Sequence, residues 1–167
     1  ASDTLTCPEG SFVTGVFGRS GHWLDQLGLI CSDGERSDPA GGSGGSDAFE
    51  AECPDGTTLT GLGAFTSISG SYVSQIVLYC DGEYEEPVGG SRSHPYSYNQ
   101  YHCNAGEVIT QLAVSSGRYI NSLTLTRDSF GCSGEICDDD TCRVCMDLSA
   151  YGSNTNRKLV ACESSGC

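Results

Sequence analysis

The chain contains the same pattern three times, and that self-similarity limits the fold more than any other feature. The first copy runs from Cys7-Pro8-Glu9-Gly10 through Phe12-Val13-Thr14-Gly15 to Gly21-His22-Trp23-Leu24-Asp25, then an apolar run ending at Cys31. The second runs from Cys53-Pro54-Asp55-Gly56 through Thr58-Leu59-Thr60-Gly61 to Gly70-Ser71-Tyr72-Val73-Ser74 and Cys80. The third runs from Cys103-Asn104-Ala105-Gly106 through Val108-Ile109-Thr110-Gln111 to Gly117-Arg118-Tyr119-Ile120-Asn121 and Arg127. Each copy opens on Cys-x-x-Gly, and each carries an aromatic residue two places after its central glycine. A unit of this length is too short for a domain and suits one sheet.

Within each copy the apolar residues alternate: Leu27 and Leu29 share a face, as do Ile76 and Leu78, and Leu123 and Leu125. Alternation with period two predicts half-buried strands. Val, Ile, Thr and Tyr fill the runs, and Gly, Ser, Asn and Asp fill the gaps as turn formers. No stretch has a sustained helical period. The expected fold is all-β, with three antiparallel sheets around a pseudo-threefold axis, each burying its apolar face against the other two. One domain spans 1–167, with repeats at about 1–31, 32–80 and 81–127 and a cysteine-rich segment at 128–167.

Gly21, Trp23 and Asp25 make a device suited to holding a sugar. Glycine lets a hydroxyl approach the backbone. The following N–H groups of His22 and Trp23 can donate, and a carboxylate accepts from two neighbouring hydroxyls. No metal or cofactor is needed. In the second copy the equivalent residues are Gly70, Tyr72 and Ser74, and in the third Gly117, Tyr119 and Asn121. Ser74 and Asn121 lack a charged two-oxygen acceptor, so any second or third site is weaker. Asp25 could instead close a turn on nearby amides, and Trp23 could simply pack. His22 fits a site rim and an ordinary exposed loop equally.

The run Gly21-His22-Trp23-Leu24-Asp25 followed by a short apolar strand resembles the carbohydrate-binding segment of jacalin-related lectins. Gly41-Gly42-Ser43-Gly44-Gly45 with Phe49 is similar to that family's Gly-Gly loop, and Gly89-Gly90 to a second copy of it. The resemblance covers roughly residues 7–127. It implies a β-prism I of three four-stranded Greek-key sheets, and a hexose site on Gly21, His22, Trp23 and Asp25. Gly41, Gly42, Gly44 and Gly45 would frame that site, one of them giving a further backbone donor. In that family galactose preference goes with a chain cleavage that exposes an amino terminus at the site. Nothing in this sequence signals one, so the resemblance implies mannose or glucose. The Cys-x-x-Gly openings resemble the egg vitelline membrane outer layer protein, another β-prism. Jacalin-type lectins mostly lack so many cysteines, and this chain departs from them there. The alternative to a lectin is accordingly an extracellular coat or matrix protein using the prism as a rigid brick.

The formal net charge of −14, with only eight Lys and Arg, argues against nucleic acid and anionic membranes as partners and makes a neutral glycan or glycoprotein the better match. Eleven cysteines point to an oxidising compartment, and an initial Ala in place of Met suggests a removed leader, so secretion is expected. No apolar run approaches a membrane span. The default disulfides are Cys7–Cys31 and Cys53–Cys80, one staple within each unit, with Cys31–Cys53 as the alternative. Cys103 must find another partner, of which Cys132 is one. An odd cysteine count leaves a thiol over, with Cys167 the candidate for an intermolecular bond or a homo-oligomer. Cys142 and Cys145 are read as disulfide formers before zinc ligands, and Asp138–Asp140 as a solvated turn. Arg157–Cys162 reads as a strand that returns to complete the first sheet. No nucleophile elbow or other catalytic motif is present, and no enzyme is expected.

Overall fold

Strands account for all the regular structure in the described residues, 1–92, 94–104 and 106–129 of a computed structural model. They are β1 (Ser2–Thr6), β2 (Val13–Ser20), β3 (Leu24–Cys31), β4 (Ala40–Gly41), β5 (Asp47–Glu52) and β6 (Leu59–Ser67). After them come β7 (Val73–Cys80), β8 (Glu83–Tyr84), β9 (Val88–Gly89), β10 (Tyr96–His102), β11 (Glu107–Ser116) and β12 (Ile120–Ser129). They form three sheets, ordered β4-β3-β2-β5, β10-β6-β7-β8 with β9 also on β7, and β1-β11-β12. Every pairing is antiparallel. This is the expected all-β, disulfide-linked arrangement of repeated sheets.

The repeats share one pairing pattern around a central hairpin. In each, a long hairpin (β2–β3, β6–β7 or β11–β12) forms the centre of its sheet, and one further strand flanks the hairpin's first arm. That flanking strand is β5 in the first sheet and β10 in the second. In the third it is β1, with Leu5 opposite Leu112. The N-terminal strand therefore belongs to the third sheet, and the first sheet takes all four of its strands from Val13–Glu52. The sheets are also cut from the chain at other points than 31 and 80, because Cys31 and Cys80 each end the second arm of a hairpin. Arg157–Cys162, Asp138–Asp140, Cys132, Cys142, Cys145 and Cys167 lie outside the described residues.

The alternating apolar positions meet in one core. Leu24, Leu27, Leu29, Val73, Ile76, Leu78, Leu112 and Ile120 are all at most 2% exposed. Each such side chain contributes about 1.5–3 kcal/mol by leaving water. The third sheet is covered less completely. Leu123 and Leu125 are only half-buried, whereas their equivalents in the other repeats are fully enclosed. β4 and β9 flank β3 and β7, but among the described residues β12 pairs with β11 alone. A cavity of about 300 Å³ lies beside β12, lined by Leu62, Tyr101, Leu112, Leu123 and Leu125.

The two expected disulfides are present, Cys7–Cys31 and Cys53–Cys80. Each closes its repeat copy as expected and in doing so ties one sheet to the next. Cys7 follows β1 of the third sheet while Cys31 ends β3 of the first; Cys53 follows β5 of the first while Cys80 ends β7 of the second. At the third junction, second sheet to third, Cys103 follows β10 and Arg127 lies on β12. There Arg127 Nε is 3.5 Å from Glu107 Oε1, and its Nη1 donates to the His102 carbonyl at 3.4 Å. Cys103 has no disulfide partner among the described residues. Burial, and secondarily the charge of Glu107, pushes its thiol up to about 11, against the opposing pull of Arg127.

Candidate functional site

Asp25, the second residue of β3, is 4% exposed. Its Oδ2 accepts from the Gly21 N–H at 3.1 Å, across the turn that leads into the strand. The same N–H also approaches the Trp23 carbonyl at 3.1 Å. Gly21 thus spends its N–H inside the turn, where it fixes the carboxylate. No described residue donates to Asp25 Oδ1, and that atom is not sealed from solvent. A buried carboxylate left one oxygen short of donors is uncommon, since such groups normally collect partners.

The glycine loop lies over this carboxylate. β4 pairs with β3 at Gln26–Gly41 and Leu27–Ala40, and the Gly42 N–H continues the ladder by donating to the Asp25 carbonyl at 2.8 Å. The loop then crosses the Asp25 side chain. A Cβ on Gly44 would sit 2.6 Å from Oδ1, and one on Gly45 would sit 2.9 Å from Oδ2 and 2.8 Å from the Ser20 nitrogen. Gly45 also has a φ of +79°, which disfavours any side chain there. Arg19 on β2 pins the loop from the other side, its Nε and Nη2 donating to the Gly45 carbonyl at 3.0 and 2.8 Å. The N–H groups of Trp23, Gly44 and Gly45 donate to no described residue. The result is a shallow slot with one carboxylate at its floor and unclaimed N–H donors at its edges. It is separate from the cavity beside β12.

The expected set Gly21, His22, Trp23, Asp25 and Gly41–Gly45 therefore comes together, although Gly41 and Gly42 serve the ladder while Gly44 and Gly45 face the slot. The other two copies are built differently. Gly90 repeats the ladder bond of Gly42, its N–H donating to the Ser74 carbonyl at 2.7 Å. Ser74 itself is 1% exposed, and its hydroxyl donates to the Phe65 carbonyl at 3.1 Å. After Gly90 the chain continues Ser91-Arg92, without the second glycine pair, and Arg92 lies over the rings of Phe65 and Tyr96 at 4.3 and 5.7 Å. In the third copy Asn121 gives its side-chain amide to the Ser71 carbonyl of the second copy at 2.9 Å. The Ser74 hydroxyl and the Asn121 side-chain amide are thus each bonded to the protein's own backbone.

The three turns interlock at this end of the molecule. The carbonyl one residue after each central glycine faces a neighbouring segment. His22 accepts from the Ser91 N–H at 2.9 Å, Ser71 accepts from Asn121, and the Arg118 oxygen would lie 2.8 Å from a Cβ on Gly42. Sequence spacing alone could not reveal these contacts between repeats.

Among the described residues no group of three or more His, Cys, Asp or Glu could hold a metal ion. No helix in the described residues is long and apolar enough to cross a membrane. No protein-family model and no curated protein sequence matches the chain. Solved structures do match in fold. A prostate-specific WGA16 glycoprotein lectin aligns with a TM-score of 0.62 and 13% identity, over 76% of this chain and 89% of that one. Calystegia sepium agglutinin aligns with a TM-score of 0.59 and 13% identity, over 77% and 88%. Jacalin in complex with melibiose aligns with a TM-score of 0.54 and 9% identity, over 74% and 98%. The chain has the jacalin-like β-prism fold.

Proposed function

We propose that this protein is a lectin that binds a neutral hexose in the Asp25 slot and carries out no chemistry on it. The observation that carries the reading is the Asp25 carboxylate, held at one oxygen by Gly21, open at the other, and roofed by two glycines. A sugar hydroxyl is small, neutral and able to donate, which is what Oδ1 lacks. A second hydroxyl can accept from the N–H groups of Trp23, Gly44 or Gly45. The jacalin-like fold supports the reading, since the aligned structures include lectins, one of them bound to a disaccharide. Mannose or glucose is the favoured ligand. The two disulfides suit an extracellular protein.

Glycan-array screening followed by titration with methyl mannoside, methyl glucoside and methyl galactoside tests the proposal. Asp25→Ala removes a charge-assisted acceptor worth about 1.5–3 kcal/mol per bond, which takes a millimolar monosaccharide affinity beyond detection. Asn121→Ala leaves sugar binding as it was. A parent protein that binds no glycan, or an Asp25→Ala variant that binds as the parent does, rejects the site. The first of those results favours the second reading, an extracellular coat or matrix protein. The structural duties of Ser74 and Asn121 and the eleven cysteines are what favour it.

A further inference from the structure

The three copies differ in what stands beside the second arm of the hairpin. In the first sheet β4 lies on β3, with Ala40 opposite Leu27, and in the second β9 lies on β7, with Val88 opposite Ile76. Each short strand also closes a junction between sheets: β9 comes against β5 of the first sheet, and β4 against β11 of the third. Ala40 is buried and Val88 packs on the core, so each adds an apolar side chain where two sheets meet. Among the described residues β12 has no such neighbour. The cavity of about 300 Å³ lies at this very place, between β6 and β10 of the second sheet and β11 and β12 of the third. Leu27 and Ile76 are at most 1% exposed, whereas Leu123, their counterpart on the cavity wall, is only half-buried.

An apolar hollow at the open edge of a strand is unfavourable on two counts. Its lining lacks partner atoms on one side. The strand edge offers backbone donors and acceptors to any chain that can pair with them. From Ile120 to Thr126 the edge carries no charge and no proline, the residues that discourage such pairing. Residues 130–167 follow directly on β12. A segment tied to the same strand by a short connection is held at high local concentration and closes its loop at little extra cost in entropy. A second copy of the chain has no such advantage.

Spacing singles out one segment. Thirteen positions separate Leu27 from Ala40, and twelve separate Ile76 from Val88. Thirteen positions after Leu123 stands Ile136, the one aliphatic residue between Leu125 and Val144. We propose that Glu135–Cys137 seats on the open edge of β12, with Ile136 opposite Leu123 and its side chain in the cavity. The seat covers Leu123 and leaves Leu125, two residues further along β12, as the less covered leucine. In the third copy Cys137-Asp138 stands where the others carry Gly41-Gly42 and Gly89-Gly90. The third copy thus keeps the covering residue and dispenses with the glycine pair. The seat is independent of the Asp25 slot, and its test is blind to sugar binding.

The test is nuclear magnetic resonance on the full, oxidised chain with labelled Ile, Leu and Val methyl groups. Nuclear Overhauser contacts are expected from the Ile136 methyls to those of Leu123 and Leu62. Their absence overturns the proposal, as do contacts to Leu123 from Leu159 or Val160 in their place. Contacts that arise only between differently labelled copies in a mixed sample overturn it in favour of a second copy. These contacts are read on the parent, so they stand even where a variant fails to fold. Thermal unfolding adds a double-mutant cycle. Ile136→Ala lowers the midpoint by roughly 5–15 °C. Combined with Leu123→Ala, it lowers the midpoint by clearly less than the sum of the two single changes, as expected for side chains in contact. Strictly additive losses, or a parental midpoint for Ile136→Ala, overturn the seat.

Discussion

One methyl group tests the slot more sharply than removal of the carboxylate. Gly44 has no positive φ, so alanine at this position meets no backbone penalty. Its Cβ, however, would lie 2.6 Å from Asp25 Oδ1. The carboxylate has little room to retreat, because its residue is 4% exposed and Oδ2 is tied to the Gly21 N–H at 3.1 Å. Either the carboxylate turns away from the slot or the loop lifts, and in both cases the hydroxyl-binding geometry is lost. Losing one charge-assisted hydrogen bond costs about 1.5–3 kcal/mol, a tenfold to hundredfold weakening. Stability falls modestly, because a glycine replaced at a compatible φ gains about 0.4–1 kcal/mol from the unfolded state, which offsets part of a clash costing about 1–3 kcal/mol. The assay pairs sugar titration with thermal unfolding for Gly44→Ala and for Ser43→Ala, its exposed neighbour. Expected are lost binding with a folded protein of modestly lowered midpoint for Gly44→Ala, and parental behaviour for Ser43→Ala. Gly44→Ala with undiminished affinity would show that the ligand does not use Oδ1, and the argument from the open oxygen would collapse.

Two further expectations concern the scaffold. Each disulfide joins two sheets across a loop of 24 or 27 residues, so reducing either one removes roughly 3–4 kcal/mol; calorimetry with verified reduction should show a large fall in melting temperature, and an unchanged midpoint would mean that the bridges are not structural. Leu78 and Leu125 occupy the same place in the second and third repeats, yet Leu78 is 2% exposed and Leu125 half-buried beside the cavity. Urea unfolding should give a loss of about 3–5 kcal/mol for Leu78→Ala and about half of that for Leu125→Ala, and equal losses would show that the third sheet is as tightly covered as the second.

The repeat was legible because the fold uses rare residues at fixed points. Glycines mark the turns and loop contacts, cysteines mark the sheet junctions, and period-two leucines mark the buried faces. From these the all-β class, the threefold relation and the two disulfide pairs follow. What the pattern cannot carry is which strand lies beside which. Ser2–Thr6 reads as a strand, but nothing in those residues says that it pairs with β11 and not β2. The same gap hid the disulfides' role as ties between sheets. At the slot, the convergence of Gly21–Asp25 with Gly44 and Gly45 was readable from the resemblance. The use of the Gly21 N–H within the turn was not, because it depends on a bond angle and no residue identity signals it. Nor could sequence tell that Asn121 donates its amide to Ser71 when it might have offered its oxygen to a sugar. That outcome is decided by a neighbour 50 residues away.

The differences among the three copies have a physical logic. A prism end built from three identical turns would leave three buried polar side chains needing partners. Two are satisfied internally, Ser74 by Phe65 and Asn121 by Ser71, and both also lock the backbone around the apex. Asp25 keeps an oxygen with no donor among the described residues, and it does so where a glycine pair gives access and Arg19 stiffens the loop. On the proposed reading, one copy of the repeated motif binds while the other two brace the backbone. A single shallow slot of this kind binds a monosaccharide weakly, so useful affinity has to come from added contacts on one glycan or from several protein copies on one surface.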